Sequence, residues 1–113
     1  MTIIYHMADK DDWQKAQSEG SYAGTAMDKA DGFIHFSTRE TVVESAAKHR
    51  TGVKNLVLLW VDTAGLDDSL KWEPARGGIL FAHLYSILDP AKVFQVDDLP
   101  VGDDGRHIFP EME

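Results

Sequence analysis

The sequence predicts an α+β domain in which strands outnumber helices. Three observations lead there. Short apolar segments with the period of two of β-structure recur along the chain, capped helical patterns occur only in its N-terminal half, and after Asn55 apolar strands follow one another with no helix between them. This order favours two small antiparallel or mixed sheets, accompanied by two helices from the first half of the chain, over a doubly wound parallel sheet. The 113 residues are the length of one domain, expected to span 1–113, with 98–113 a loosely ordered tail.

The first strand is read over Thr2–Met7, from the β-rich run Ile3-Ile4-Tyr5-His6-Met7, with His6 on the face of Ile4. Asp9 is the expected N-cap of a helix carrying Trp13 and Ala16, which Gly20 stops. Residues 21–30 lack periodicity and read as a loop with a short strand at Tyr22. Gly32–Ser37 is the second strand, with Phe33, His35 and Ser37 on one face and Ile34 and Phe36 on the other. Ser37 followed by Glu40 has the spacing of a capping box, so the second helix is expected to start at Ser37, bury Val42, Val43, Ala46 and Ala47, and end at Gly52.

Leu56–Val61 is continuously apolar and reads as a central strand covered on both faces. Beyond the turn around Gly65, Leu70–Glu73 is short and extended. Ile79–Leu88 is the next strand, setting Phe81, His83 and Tyr85 on one face until Asp89-Pro90 breaks it, and Val93, Phe94 and Val96 form the last.

A formal charge of −8, from 19 acidic against 11 basic residues, repels phosphate backbones at long range and disfavours nucleic acid as a partner. No apolar run approaches the length of a membrane span, and no basic-then-apolar leader opens the chain. With no cysteine there is no disulfide, thiolate nucleophile or thiolate zinc site. A monomeric cytoplasmic protein is the expectation.

The chemistry concentrates in Lys71–Tyr85, where an acid (Glu73), a fixed cation (Arg76), free backbone (Gly77, Gly78) and an imidazole (His83) share one strand–loop–strand segment. His6, His35 and His83 all sit in strands between apolar neighbours, where an imidazole without partners costs roughly 1–3 kcal/mol. Convergence on one cleft accounts for all three, although each taken singly also reads as a packed core histidine. Ser37 and Thr38, at a strand-to-helix junction, are better suited to anion binding than to nucleophilic attack. Metal ligation is a weaker alternative, since no two histidines have the close spacing of metal-binding motifs. His49 and His107 read as solvated.

Ile-Tyr-His near the N-terminus, Asp-Gly-Phe-Ile-His-Phe-Ser-Thr at 31–38, and Trp-Glu-Pro-Ala-Arg-Gly-Gly-Ile-Leu-Phe-Ala-His-Leu-Tyr at 72–85 closely resemble a small bacterial family of unknown function, over nearly the whole chain. That family resembles the ADP-ribosyltransferase-like fold, in which two sheets form a cleft that holds a nicotinamide dinucleotide. The resemblance implies that His6 corresponds to the first-strand histidine that contacts the nicotinamide-side ribose. Gly32, His35, Phe36 and Ser37 stand where active transferases have their second motif, His35 replacing a tyrosine. His83 falls in the register of the late-strand glutamate, which leaves Glu73 as an upstream substitute.

The reading is therefore a cleft that binds or acts on NAD, ADP-ribose or a related nucleotide. His6, His35, Glu73 and His83 are the candidate catalytic residues. Ser37, Thr38, Arg76, Gly77, Gly78 and Tyr85 are the candidate ligand-binding residues. NAD is the cofactor the resemblance admits, and no metal ligands are assigned. A non-catalytic module for a small anionic metabolite and a metal-dependent hydrolase are the alternatives.

Overall fold

The computed structural model describes residues 2–112, the side chain of Arg76 excepted. Six strands form two three-stranded antiparallel sheets, accompanied by three α-helices. The first sheet has the order β1-β3-β6, built from β1 (Ile3–Asp9), β3 (Leu56–Asp62) and β6 (Val93–Leu99). The second has the order β2-β5-β4, built from β2 (Ile34–Phe36), β5 (Leu80–Leu84) and β4 (Leu70–Pro74). Tyr5 and Ser37 exchange both backbone hydrogen bonds at 2.8 Å, which ties β1 to the end of β2 and joins the two sheets.

The apolar run of β3 is buried at every position from Leu56 to Val61, because the strand lies between β1 and β6 and has a core on each face. Val57, Leu59 and Val61 face the second sheet, meeting Ile34, Phe36, Ala82 and Leu84 together with Trp13 and Ala16. Leu56, Leu58 and Trp60 face the other way, onto Tyr5, Val42 and Leu99. Each such fully buried side chain contributes about 1.5–3 kcal/mol of transfer free energy.

The first helix, α1 (Lys10–Glu19), is capped as its sequence predicts. The Asp9 carboxylate accepts from the amides of Asp11 and Asp12, and Gly20 closes the helix in the left-handed region at φ 80°.

Within 21–30, expected to be loop, the chain instead enters α2 (Ala26–Asp31), so the described residues have three α-helices rather than two. A reciprocal capping box produces it: the Asp28 amide donates to Thr25 Oγ1 at 3.2 Å, and the Thr25 amide donates to Asp28 Oδ2 at 2.7 Å. Tyr22, just before it, pairs with Leu88 in an isolated bridge.

The third helix, α3 (Arg39–His49), has Thr38 and not Ser37 as its N-cap, with Thr41 Oγ1 accepting the Thr38 amide at 3.0 Å. Ser37 is drawn into the β1 pairing instead, which moves the cap one residue on. The buried stripe of α3 is Val42, Ser45 and Ala46, while Val43 is exposed.

Residues after Asp97, read as a loose tail, complete β6 and fold back through a Val101–His107 bridge. His107, expected to be solvated, is buried and donates from Nε2 to the Val53 carbonyl at 2.7 Å. Among the described residues no helix is long and apolar enough to cross a membrane.

Candidate functional site

Three strands bring His6, His35 and His83 to the lining of one cleft of about 110 Å³, where the sheets meet near α2 and α3. His35 and His83 are direct cross-strand partners of β2 and β5, and their rings lie 5.5 Å apart at 70°. Phe33, two residues before His35 on the same strand face, stacks on His83 at 4.1 Å. The strand alternation read from 33–37 thus generates this cluster directly.

His6 is the most enclosed of the three. Its Nδ1–H donates to the His35 carbonyl at 2.6 Å, which leaves Nε2 to accept from the Tyr22 hydroxyl at 2.7 Å. Burial pushes its proton affinity below the ordinary histidine value, against the pull of the Asp28 carboxylate 3.6 Å away. Burial, with Asp28 next, raises the Tyr22 hydroxyl well above its usual value, so tyrosine stays a donor to a neutral imidazole.

The buried centre of the cluster is Asp28, which the sequence reading did not single out. Its Oδ1 accepts from His35 Nδ1 at 2.5 Å and from the His35 amide at 3.1 Å, while Oδ2 takes the Thr25 amide. Burial alone would raise this carboxyl. The hydrogen bond from His35, the nearby His6 and the two backbone amides outweigh it and hold Asp28 below the usual carboxylate range.

His83 has its own carboxylate. Nδ1–H donates to Glu73 Oε1 at 2.8 Å, and the Tyr85 hydroxyl donates to the same oxygen at 2.6 Å. Those two donors, Tyr85 first, lower the Glu73 carboxyl. His83 Nε2 has no hydrogen-bond partner among the described residues, whereas His35 Nε2 lies 3.1 Å from Asp31 Oδ2.

The expected residues therefore divide. His6, His35, Ser37 and His83 line the cleft, and Glu73 and Tyr85 stand behind His83 without lining it. Tyr85 faces a second hollow beside Gly32, Phe33 and Ile87. Thr38, Gly77 and Gly78 lie off the cleft; both glycines adopt positive φ in the turn between β4 and β5. The Arg76 side chain lies outside the described residues.

Sequence reasoning missed Asp28, Tyr22 and Arg50. The Thr25-x-x-Asp28 capping spacing, followed by Gly32, was the available signal for α2 and so for Asp28. Arg50 lines the cleft from the C-cap of α3, and no local pattern marks it. Among the described residues no group of three or more His, Asp or Glu side chains is arranged to hold a metal ion.

A family model described as a protein of unknown function, DUF952, matches residues 7–96. The X-ray crystal structure of protein CC0527 from Caulobacter crescentus is 43% identical, covering 95% of this chain and 94% of that one with a TM-score of 0.91. The solution NMR structure of CC0527 is 44% identical over 94% of this chain and 91% of that one, with a TM-score of 0.83. No curated protein matches the chain.

Proposed function

The chain belongs to the DUF952 family of proteins of unknown function, and from that premise we propose that its cleft binds a small anionic molecule of the nucleotide class, NAD or ADP-ribose, and moves a proton at His83. One observation carries this reading: His35 and His83 are cross-strand neighbours, each held at Nδ1 by a carboxylate, on the wall of the same cleft. A carboxylate at Nδ1 fixes the tautomer and ring orientation and so aims the far nitrogen, as general acid–base catalysis requires. His83 is the better placed of the two, since Asp31 engages the far nitrogen of His35.

The resemblance of 31–38 and 72–85 to the ADP-ribosyltransferase-like fold supports a nicotinamide nucleotide as the ligand. His6 departs from the part that resemblance gives it. Both of its ring nitrogens are taken by His35 and Tyr22, so in this reading it positions the β2 backbone and leaves ligand contact to His35 and His83.

A second reading, a binding module without turnover, is favoured by the carboxylates. Glu73 Oε1 is engaged by His83 and Tyr85, and both Asp28 oxygens by Thr25 and His35. Both Asp28 oxygens are occupied and Glu73 does not line the cleft, so neither acid is placed to stabilise an oxocarbenium-like transition state.

Calorimetry with ADP-ribose, together with chromatographic assay of nicotinamide after incubation with NAD, separates the readings. Saturable binding with nicotinamide release that His83→Ala abolishes supports acid–base turnover. Saturable binding without release supports the module. Absence of saturable binding by either compound sinks the nucleotide reading.

A further inference from the structure

We propose that Arg50 is the phosphate-recognition residue of the cleft, receiving the phosphoryl or diphosphate group of an anionic ligand beside the last turn of α3, while the His35–His83 wall meets the remainder. The inference deepens the function proposed above and rests on it for the nucleoside part of the ligand alone.

Arg50 is half-buried, follows the last residue of α3 as its C-cap, and lines the same cleft as His6, His35, Ser37 and His83. Its guanidinium makes no ion pair or side-chain hydrogen bond with any described residue, in a chain that carries 19 acids against 11 bases. The carboxylates bonded at Nδ1 of the two cleft histidines are engaged there, Asp28 by His35 and Thr25, and Glu73 Oε1 by His83 and Tyr85. A partly desolvated cation with no counter-ion among the described residues is costly to keep, and an anion entering the cleft removes that cost.

Arg50 is also close enough to the polar centre for its charge to lower the proton affinity of both His6 and Tyr22, which sets it beside that network rather than out in solvent. A planar guanidinium presents paired N–H donors that match two oxygens of a phosphate, which an ammonium cannot do. Met27, Phe36 and Phe81 supply apolar wall in the same cleft, which suits a ligand that joins a phosphate to a ring.

The test is calorimetric titration of the full chain with inorganic pyrophosphate and, separately, with ADP-ribose, on wild type, Arg50→Gln, Arg50→Lys and Lys48→Gln. Lys48 is an exposed cation on the same helix and controls for net charge. Arg50→Gln is expected to weaken both ligands by at least about tenfold, the size of one charge-assisted bidentate contact. Arg50→Lys is expected to fall between, and Lys48→Gln to match wild type. Thermal unfolding of each variant confirms that it is folded.

Equal weakening by Lys48→Gln, or undiminished pyrophosphate binding by Arg50→Gln, overturns the inference. ADP-ribose binding that ignores Arg50 overturns it while leaving the nucleotide reading intact. Pyrophosphate binding that needs Arg50, with no gain for ADP-ribose, retains the phosphate site and removes the nucleoside. Binding of neither ligand by wild type overturns both.

Discussion

Tyr22, His6, His35 and Asp28 form one hydrogen-bonded network: the Tyr22 hydroxyl donates to His6 Nε2, His6 Nδ1–H to the His35 carbonyl, and His35 Nδ1–H to Asp28. Tyr22→Phe removes the only donor to His6 Nε2 among the described residues and strands a buried acceptor. A loss of roughly 1–2 kcal/mol in urea unfolding is expected. Asp28→Asn keeps the shape but cannot accept at every point where the carboxylate does, and is expected to cost more, about 2–4 kcal/mol.

The same residues set the acid response. Burial lowers His6, so the unfolded chain takes up a proton near the ordinary value of about 6.5 that the folded protein refuses until lower pH. Stability should therefore decline as pH falls from about 7, and His6→Gln should flatten that decline. Asp28 acts at lower pH: being held below its ordinary value, its contribution is complete above about 4 and is lost as pH falls further, through its folded value. Urea midpoints measured across pH 3 to 8 check both; a His6→Gln profile with the wild-type slope between 5 and 7 contradicts the first.

At the level of elements, α2 has only six residues, and its placement depends on Gly24 as well as on its cap. Gly24 sits at φ 95°, and a Cβ there would meet Asp28 Oδ2 at 2.6 Å, whereas a Cβ on Gly20, also at positive φ, meets nothing within 4 Å. Gly24→Ala and Gly20→Ala share the cost of the left-handed backbone, about 1 kcal/mol, but only the first also displaces the Asp28 carboxylate. Gly24→Ala is expected to lose clearly more stability and to shift the His35 ring resonances; equal losses for the two variants contradict this role.

This element also marks how far the sequence could be read. The segments β1, α1 and β3 were legible because their signals are local: an apolar run, an Asp cap, a closing glycine. The strand faces of His35 and His83 followed from alternation and from apolar neighbours that make a polar ring conspicuous, whereas their cross-strand pairing is a tertiary fact. Helix α2 was not legible as apolar periodicity, since it buries a carboxylate rather than a stripe, and only the Thr25–Asp28 spacing announced it. Arg50 reaches the cleft, and Tyr22 the His6 ring, through tertiary placement of a helix end and an isolated bridge, which no short-range pattern encodes. The Ser37 cap was misassigned because Ser37-x-x-Glu40 and Thr38-x-x-Thr41 compete one residue apart, and the pairing of Ser37 with Tyr5 decides between them.

Across the whole molecule, the two sheets share one core and are joined by the Tyr5–Ser37 bridge, so they should unfold together. Trp13 packs in the core between the sheets and Trp60 on the opposite face of β3, which gives each region its own reporter. Urea curves of Trp13→Phe and Trp60→Phe proteins, each followed by fluorescence and by circular dichroism, are expected to coincide between the two probes; separated transitions contradict a single cooperative unit.

In the proposed reading, a single arginine, Arg50, at the cleft of a chain with formal charge −8 suits a small anion better than a long polyanion, which the negative surface as a whole repels. The most direct test of the shared cleft is a histidine ring NMR titration of the wild-type protein with ADP-ribose. The His35 and His83 resonances are predicted to shift together and saturate at one affinity, while His107, bonded to Val53 outside the cleft, stays fixed. Shifts that fail to saturate, or that move His107 as far as His35 and His83, would contradict a common ligand site.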